Sequence, residues 1–110
     1  MLILKNCPQD PQLLRFIKFC ESKFEFKYPV TLNFKDKWKG PNGLYRPNRY
    51  HIDINKQLAR TKFDVFRVVA HEIRHAYQHM YNTLEWQSSS KICERDAVVW
   101  SHAIVEEFGE

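Results

Sequence analysis

No stretch of this 110-residue chain is long and apolar enough to span a membrane. The first residues, Met1-Leu2-Ile3-Leu4-Lys5, have no charged region ahead of their apolar run, and the run is too short for a signal peptide; the expectation is a cytoplasmic protein with no membrane partner. Cysteine is scarce and odd in number. Cys7, Cys20 and Cys93 stand at no zinc-knuckle spacing, which argues against a disulfide scaffold and for reduced, mostly buried thiols. There is no internal repeat, no linker and no low-complexity segment. What remains, 44% apolar and 15% aromatic residues, excludes disorder and fits a single domain over residues 1–110 with one core, expected to be a monomer.

Charge is unevenly spread. The net charge is +4, but residues 35–74 hold ten Lys/Arg against four Asp/Glu, and residues 75–110 hold two against six. Solvated faces explain such a bias; so does a basic surface for nucleic acid, although no recognisable nucleic-acid motif accompanies it. The acidic end, Glu106-Glu107-Phe108-Gly109-Glu110, is a candidate for covering a cleft.

Taken in order, Asp10 followed by Pro11 reads as a helix cap and first position, and Leu13, Ile17, Cys20 and Phe24 continue at helical spacing to about residue 25. Val30-Thr31-Leu32-Asn33-Phe34 alternates as a half-buried strand does. Residues 35–43 form a basic loop around a partly buried Trp38. Residues 43–46 and 50–54 form two short strands joined by a turn at Pro47-Asn48-Arg49, giving a small three-stranded antiparallel sheet. After a connection over 55–60, Thr61 and Asp64 form a capping box for a helix over 62–82, with Phe66, Val69, Ala70, Ile73, Tyr77 and Met80 as its buried stripe. Ser88-Ser89-Ser90 caps a last helix over 90–107, with Gly109 just past its end and an apolar face of Ile92, Cys93, Ala97, Trp100 and Ile104. The fold class is α+β.

The long helix carries His71-Glu72-Ile73-Arg74-His75, an H-E-x-x-H sequence. Histidines four apart lie on one helix face about 6 Å apart along the axis, so two imidazoles can converge on one ion. Neutral imidazole nitrogen is a good zinc ligand. Glu72, at the edge of the same face, can take a proton from water beside the metal without being a ligand, as a general base does.

A catalytic zinc needs a third protein ligand and an open position. His79, His51, His102, Glu94 and Asp96 are the candidates. His79 is about 12 Å from His71 along a straight helix, too far to share one ion, and reads as a surface histidine or a donor near the site. Glu94 lies one turn inside the last helix, which can fold back along the central one, and small Ala97 on the same face lets the helices approach. An exposed glutamate at a helix N-terminus is the competing explanation. Asp96 points about 200° away from Glu94 and reads as an orienter of a histidine or as exposed.

H-E-x-x-H followed 19 residues later by Glu94-Arg95-Asp96-Ala97, an E-x-x-A sequence, resembles the gluzincin-type zinc metallopeptidases. The order helix, small sheet, active-site helix, ligand helix is similar to minimal ImmA/IrrE-like and SprT-like zincin domains, over about residues 28–105. The resemblance implies a minimal zincin-like domain that hydrolyses peptide bonds of a protein substrate. In it His71, His75 and Glu94 would hold Zn2+, Glu72 would be the general base, and an edge strand before the motif would align the substrate. Ala76-Tyr77-Gln78 after the second histidine lacks the glycine and third histidine of metzincins. No residue stands out as oxyanion stabiliser among Tyr45, Tyr50, His51, His79 and Tyr81. A nucleic-acid-associated or regulatory zinc module without hydrolysis is the alternative.

Overall fold

A computed structural model describes residues 1–36, 38–56, 61–87 and 90–109. Asp10 accepts a hydrogen bond from the Gln12 backbone N–H, and Pro11 occupies the first turn, so the first helix, α1 (Pro11–Glu21), starts where expected. It ends earlier than expected, at Glu21, yet Phe24 still packs, against Tyr77 and Trp100. The strands are β1 (Leu2–Lys5), β2 (Val30–Lys35), β3 (Gly43–Arg46) and β4 (His51–Asn55); the long helices are α2 (Lys62–Tyr81) and α3 (Lys91–Gly109). The connection at 57–60 and the Ser88-Ser89 part of the serine cluster lie outside the described residues. Ser90 does cap α3, its hydroxyl accepting from the Cys93 backbone N–H at 3.3 Å.

The sheet is not three antiparallel strands. It has four strands in the order β1-β2-β4-β3; β1–β2 and β2–β4 are parallel, and only β3–β4 is antiparallel. Two connections explain the difference. α1 crosses from β1 to β2, as a parallel pair requires, and turns Leu2–Lys5 into an edge strand. After β2 the slot beside it is left open, so β3 lands one place further out and β4 returns between them. The short turn at Pro47–Arg49, closed by Tyr50 in the left-handed region (φ 47°), makes the expected β3–β4 hairpin.

Val30, Leu32 and Phe34 of β2 with Ile52 and Ile54 of β4 belong to one core with Leu13, Phe16 and Ile17 of α1 and Phe66, Val69, Ala70 and Ile73 of α2. Phe16 and Phe66 stack at 4.5 Å, nearly parallel. The described part of the acidic end is helical: α3 continues through Gly109, Phe108 packs against Phe16 and Phe19, and Glu107 pairs with Lys23 at 2.9 Å. Of the expected face of α3, Cys93, Ala97 and Ile104 are buried and Trp100 packs against the core, whereas Ile92 is 64% exposed; Ser101 and Val105 join the buried side. Small residues line the contact because α3 lies close along α2. Among the described residues no helix is long and apolar enough to cross a membrane.

On the other side of β4, Asp53 is 1% exposed. Burial alone raises its pKa, but Arg46 (2.9 Å), Asn33 (3.1 Å) and His51 (2.7 Å) outweigh burial and hold the carboxyl at about 2. A carboxyl held below its ordinary value adds stability above that ordinary value, near 3.8, and loses it as pH falls towards 2. About 2 kcal/mol is expected to disappear over that window. Urea denaturation at stepped pH will read it; an Asp53→Asn protein that keeps the same acid-side slope rules the assignment out.

Candidate metal centre

α2 is anchored at both ends by its own sequence. Thr61 and Asp64 form the capping box: the Asp64 N–H donates to the Thr61 hydroxyl (3.3 Å) and the Thr61 N–H to the Asp64 carboxylate (3.2 Å). Asn82, in the left-handed region, closes the helix at the other end. Between these ends the ligand atoms of His71, Glu72 and His75 come within 4.8 Å of one another, a grouping that can hold a metal ion.

Glu94 reaches in from α3. Its Oε1 lies 2.7 Å from His71 Nε2 and its Oε2 3.0 Å from His75 Nε2; the two Nε2 atoms are 3.1 Å apart. Donors sharing a tetrahedral zinc at about 2.0–2.1 Å stand roughly 3.3 Å from one another, so the set fits such an ion. Glu94 itself is more than half exposed, which leaves the cluster open to solvent on that side.

The protonation of His75 follows from its neighbour. Gln78, fully buried, donates from its amide nitrogen to the Cys93 carbonyl (2.9 Å) and to the Asp96 carboxylate (2.8 Å), both pure acceptors. Its oxygen must therefore face His75 Nδ1, at 2.8 Å, and that nitrogen must carry the proton. With the Nδ1 proton fixed there, Nε2 is the His75 nitrogen left to face the Glu94 carboxylate. Burial first, then His75, lowers the pKa of His71 against the opposing pull of Glu94. Two imidazole nitrogens and a carboxylate converge on one point, an arrangement that a proton or a metal cation stabilises.

Glu72 is buried beside them. Burial first, then the facing Glu94, pushes its carboxyl up to about 8, while a hydrogen bond from the Tyr45 backbone N–H pulls the other way. That N–H points outward from the sheet. The Asn55 N–H bonds to the Asn42 carbonyl, so in the antiparallel β3–β4 pair residues 43 and 45 turn their backbone groups to the free side. Gly43 makes the approach possible: a Cβ there would meet Val68 Cγ1 at 2.7 Å and Glu72 Cγ at 2.9 Å.

The other candidate ligands stand elsewhere. His51 is bound to Asp53 on the far side of the sheet. His79 Nδ1 is hydrogen-bonded to the Tyr45 hydroxyl at 2.8 Å, and the two rings pack with Trp86. Asp96 receives Arg74 through two nitrogens (2.7 and 3.3 Å) and steadies Gln78, so it reaches His75 only through the amide. His102 lines a hollow next to the cluster. Arg74, inside the motif, turns away from the cluster and lies over Tyr77 at 4.9 Å and Trp100 at 5.6 Å. Gln78 and Gly43 are the two residues whose place at the site the motif does not reveal. A polar residue three positions after His75 is the only sequence trace of the first.

No protein-family model, no curated protein and no solved structure matches the chain.

Gln78→Leu is expected to cost about 2–3 kcal/mol, because the Cys93 carbonyl and the Asp96 carboxylate lose a buried donor. It should also free His75 to exchange tautomers. Imidazole 15N NMR checks this: one Nδ1-protonated His75 in the wild type, a mixture in the variant. A single unchanged tautomer in Gln78→Leu would show that the amide does not set it.

Proposed function

We propose that the chain is a zinc-dependent metallopeptidase that hydrolyses peptide bonds of a protein substrate, with His71, His75 and Glu94 as metal ligands and Glu72 as general base. One observation carries the reading: two imidazole Nε2 atoms and a carboxylate meet within 2.7–3.1 Å of one another, with a second, buried carboxylate alongside. When bound, zinc at such a centre supplies Lewis acidity that makes water a nucleophile near neutral pH and polarises a carbonyl.

The chain's own groups do the rest. Glu72, held by the Tyr45 N–H, takes the proton of the attacking water and passes it to the departing amine. Gln78 keeps the His75 lone pair aimed at the centre, and the Arg74–Asp96 pair holds Gln78 and ties α2 to α3. β3, an edge strand, presents the Gly43 backbone groups and the Tyr45 carbonyl beside Glu72, where an extended peptide can lie.

The basic block offers less to a nucleic-acid reading than its composition suggests. Lys35 and Arg46 face Asp53, Lys56 faces Asp36, Arg67 faces Asp64 and Arg74 faces Asp96.

Elemental mass spectrometry of wild type and Glu94→Ala, purified side by side, should find one zinc per chain in the first and a much reduced content in the second. Glu72→Gln should retain zinc and lose at least a hundredfold in kcat on a cleaved protein substrate; cleavage at the wild-type rate removes Glu72 from its role. Gly43→Ala should likewise hold zinc but lose kcat, because the new methyl displaces Glu72. Equal zinc in wild type and Glu94→Ala would put the third ligand elsewhere.

A further inference from the structure

A hollow of about 340 Å3 opens directly beside His71, Glu72 and Glu94, between the start of β3 and the facing sides of α2 and α3. Its lining is mixed: the His71 imidazole and the Glu72 and Glu94 carboxylates belong to it. Val68 and Val98 make apolar walls, and Gly43 contributes no side chain. Arg67 and His102 also line it, and these same two residues line an adjoining hollow with Phe63 and Glu106.

The two basic residues arrive from different helices. Arg67 stands one turn before His71 on α2, and His102 two turns after Glu94 on α3. Only Nη1 of Arg67 has a partner among the described residues, Asp64 at 3.2 Å. The rest of the guanidinium fork is available, and its geometry matches a carboxylate.

We propose that this hollow is a substrate subsite for an acidic side chain, its methylene stem between Val68 and Val98 and its carboxylate on Arg67, with His102 as a second donor. The inference rests on the peptidase reading and names the substrate class for it: peptides with glutamate or aspartate next to the bond that is cut. A lysine or arginine at that position would meet like charge in the same space.

The test separates the two claims. Two hydroxamates that anchor on zinc are compared on the zinc-loaded full chain by titration calorimetry, one with a terminal carboxylate on a short methylene chain, the other with the isosteric amide. The carboxylate is expected to bind about tenfold more tightly, and Arg67→Met to erase that advantage while leaving the amide's affinity in place. Equal affinities in the wild type, or an advantage that survives Arg67→Met, overturn the subsite. A second measurement needs no metal: glutarate, and not glutaramide, should shift the Arg67 Nε–H NMR signal, and identical responses to both would also count against the subsite. Wild-type digestion of a peptide library runs in parallel. Cleavage without acidic preference leaves the peptidase and removes the subsite. Acid discrimination without any cleavage leaves the subsite and removes the peptidase.

Discussion

Two imidazole Nε2 atoms and a carboxylate held within 2.7–3.1 Å of one another need a proton or a metal cation between them, and much of this small fold serves to hold them together. Helical spacing brings the two histidines together, but the carboxylate comes from a separate helix. Its arrival depends on how α3 lies along α2. Cys93, Ala97 and Ser101 keep that contact shallow enough for Glu94 to reach both rings. The Arg74–Asp96 pair joins the two helices at the same level, on another side. The arginine inside the motif therefore acts in helix docking, on the side turned away from the histidines.

The order of the sheet has a direct bearing on Glu72. Had the strands paired in sequence, β3 would have been the middle strand, and its outward backbone groups would have been taken up by β2. The parallel β2–β4 pairing sends β3 to the edge instead. There the Tyr45 N–H is free to hold Glu72, and a residue without a side chain can sit against the helix. The overall α+β class would survive either topology; this placement of Glu72 would not.

The local signals were legible in the sequence and the tertiary ones were not. The cap at Asp10, the capping box at Thr61, the turn at Pro47–Arg49 and the amphipathic helix around the motif all follow from neighbours a few residues apart, and the structure has them. β1 escaped notice because Leu-Ile-Leu shows no alternation, and its burial as an edge strand is slight. Parallel pairing depends on where α1 and the 36–42 segment carry the chain, which spacing does not record. At the site, the two histidines and Glu72 are readable from their helix. Glu94 needed the placement of a second helix, and Gln78 needed the Cys93 carbonyl and Asp96 of that same helix to acquire its partners.

That last contact has a thermodynamic consequence. The Gln78 amide touches a histidine of α2 with one end and the backbone of α3 with the other, so an ion bound as proposed would be linked to docking of the C-terminal helix. An ion at a thousand times its dissociation constant would add about 4 kcal/mol to the native state. In a domain of 110 residues, where total stability is of order 5–15 kcal/mol, such a share would make a bound ion a part of the tertiary structure. Stripping the ion would then loosen the seam between the last two helices before it touched the sheet.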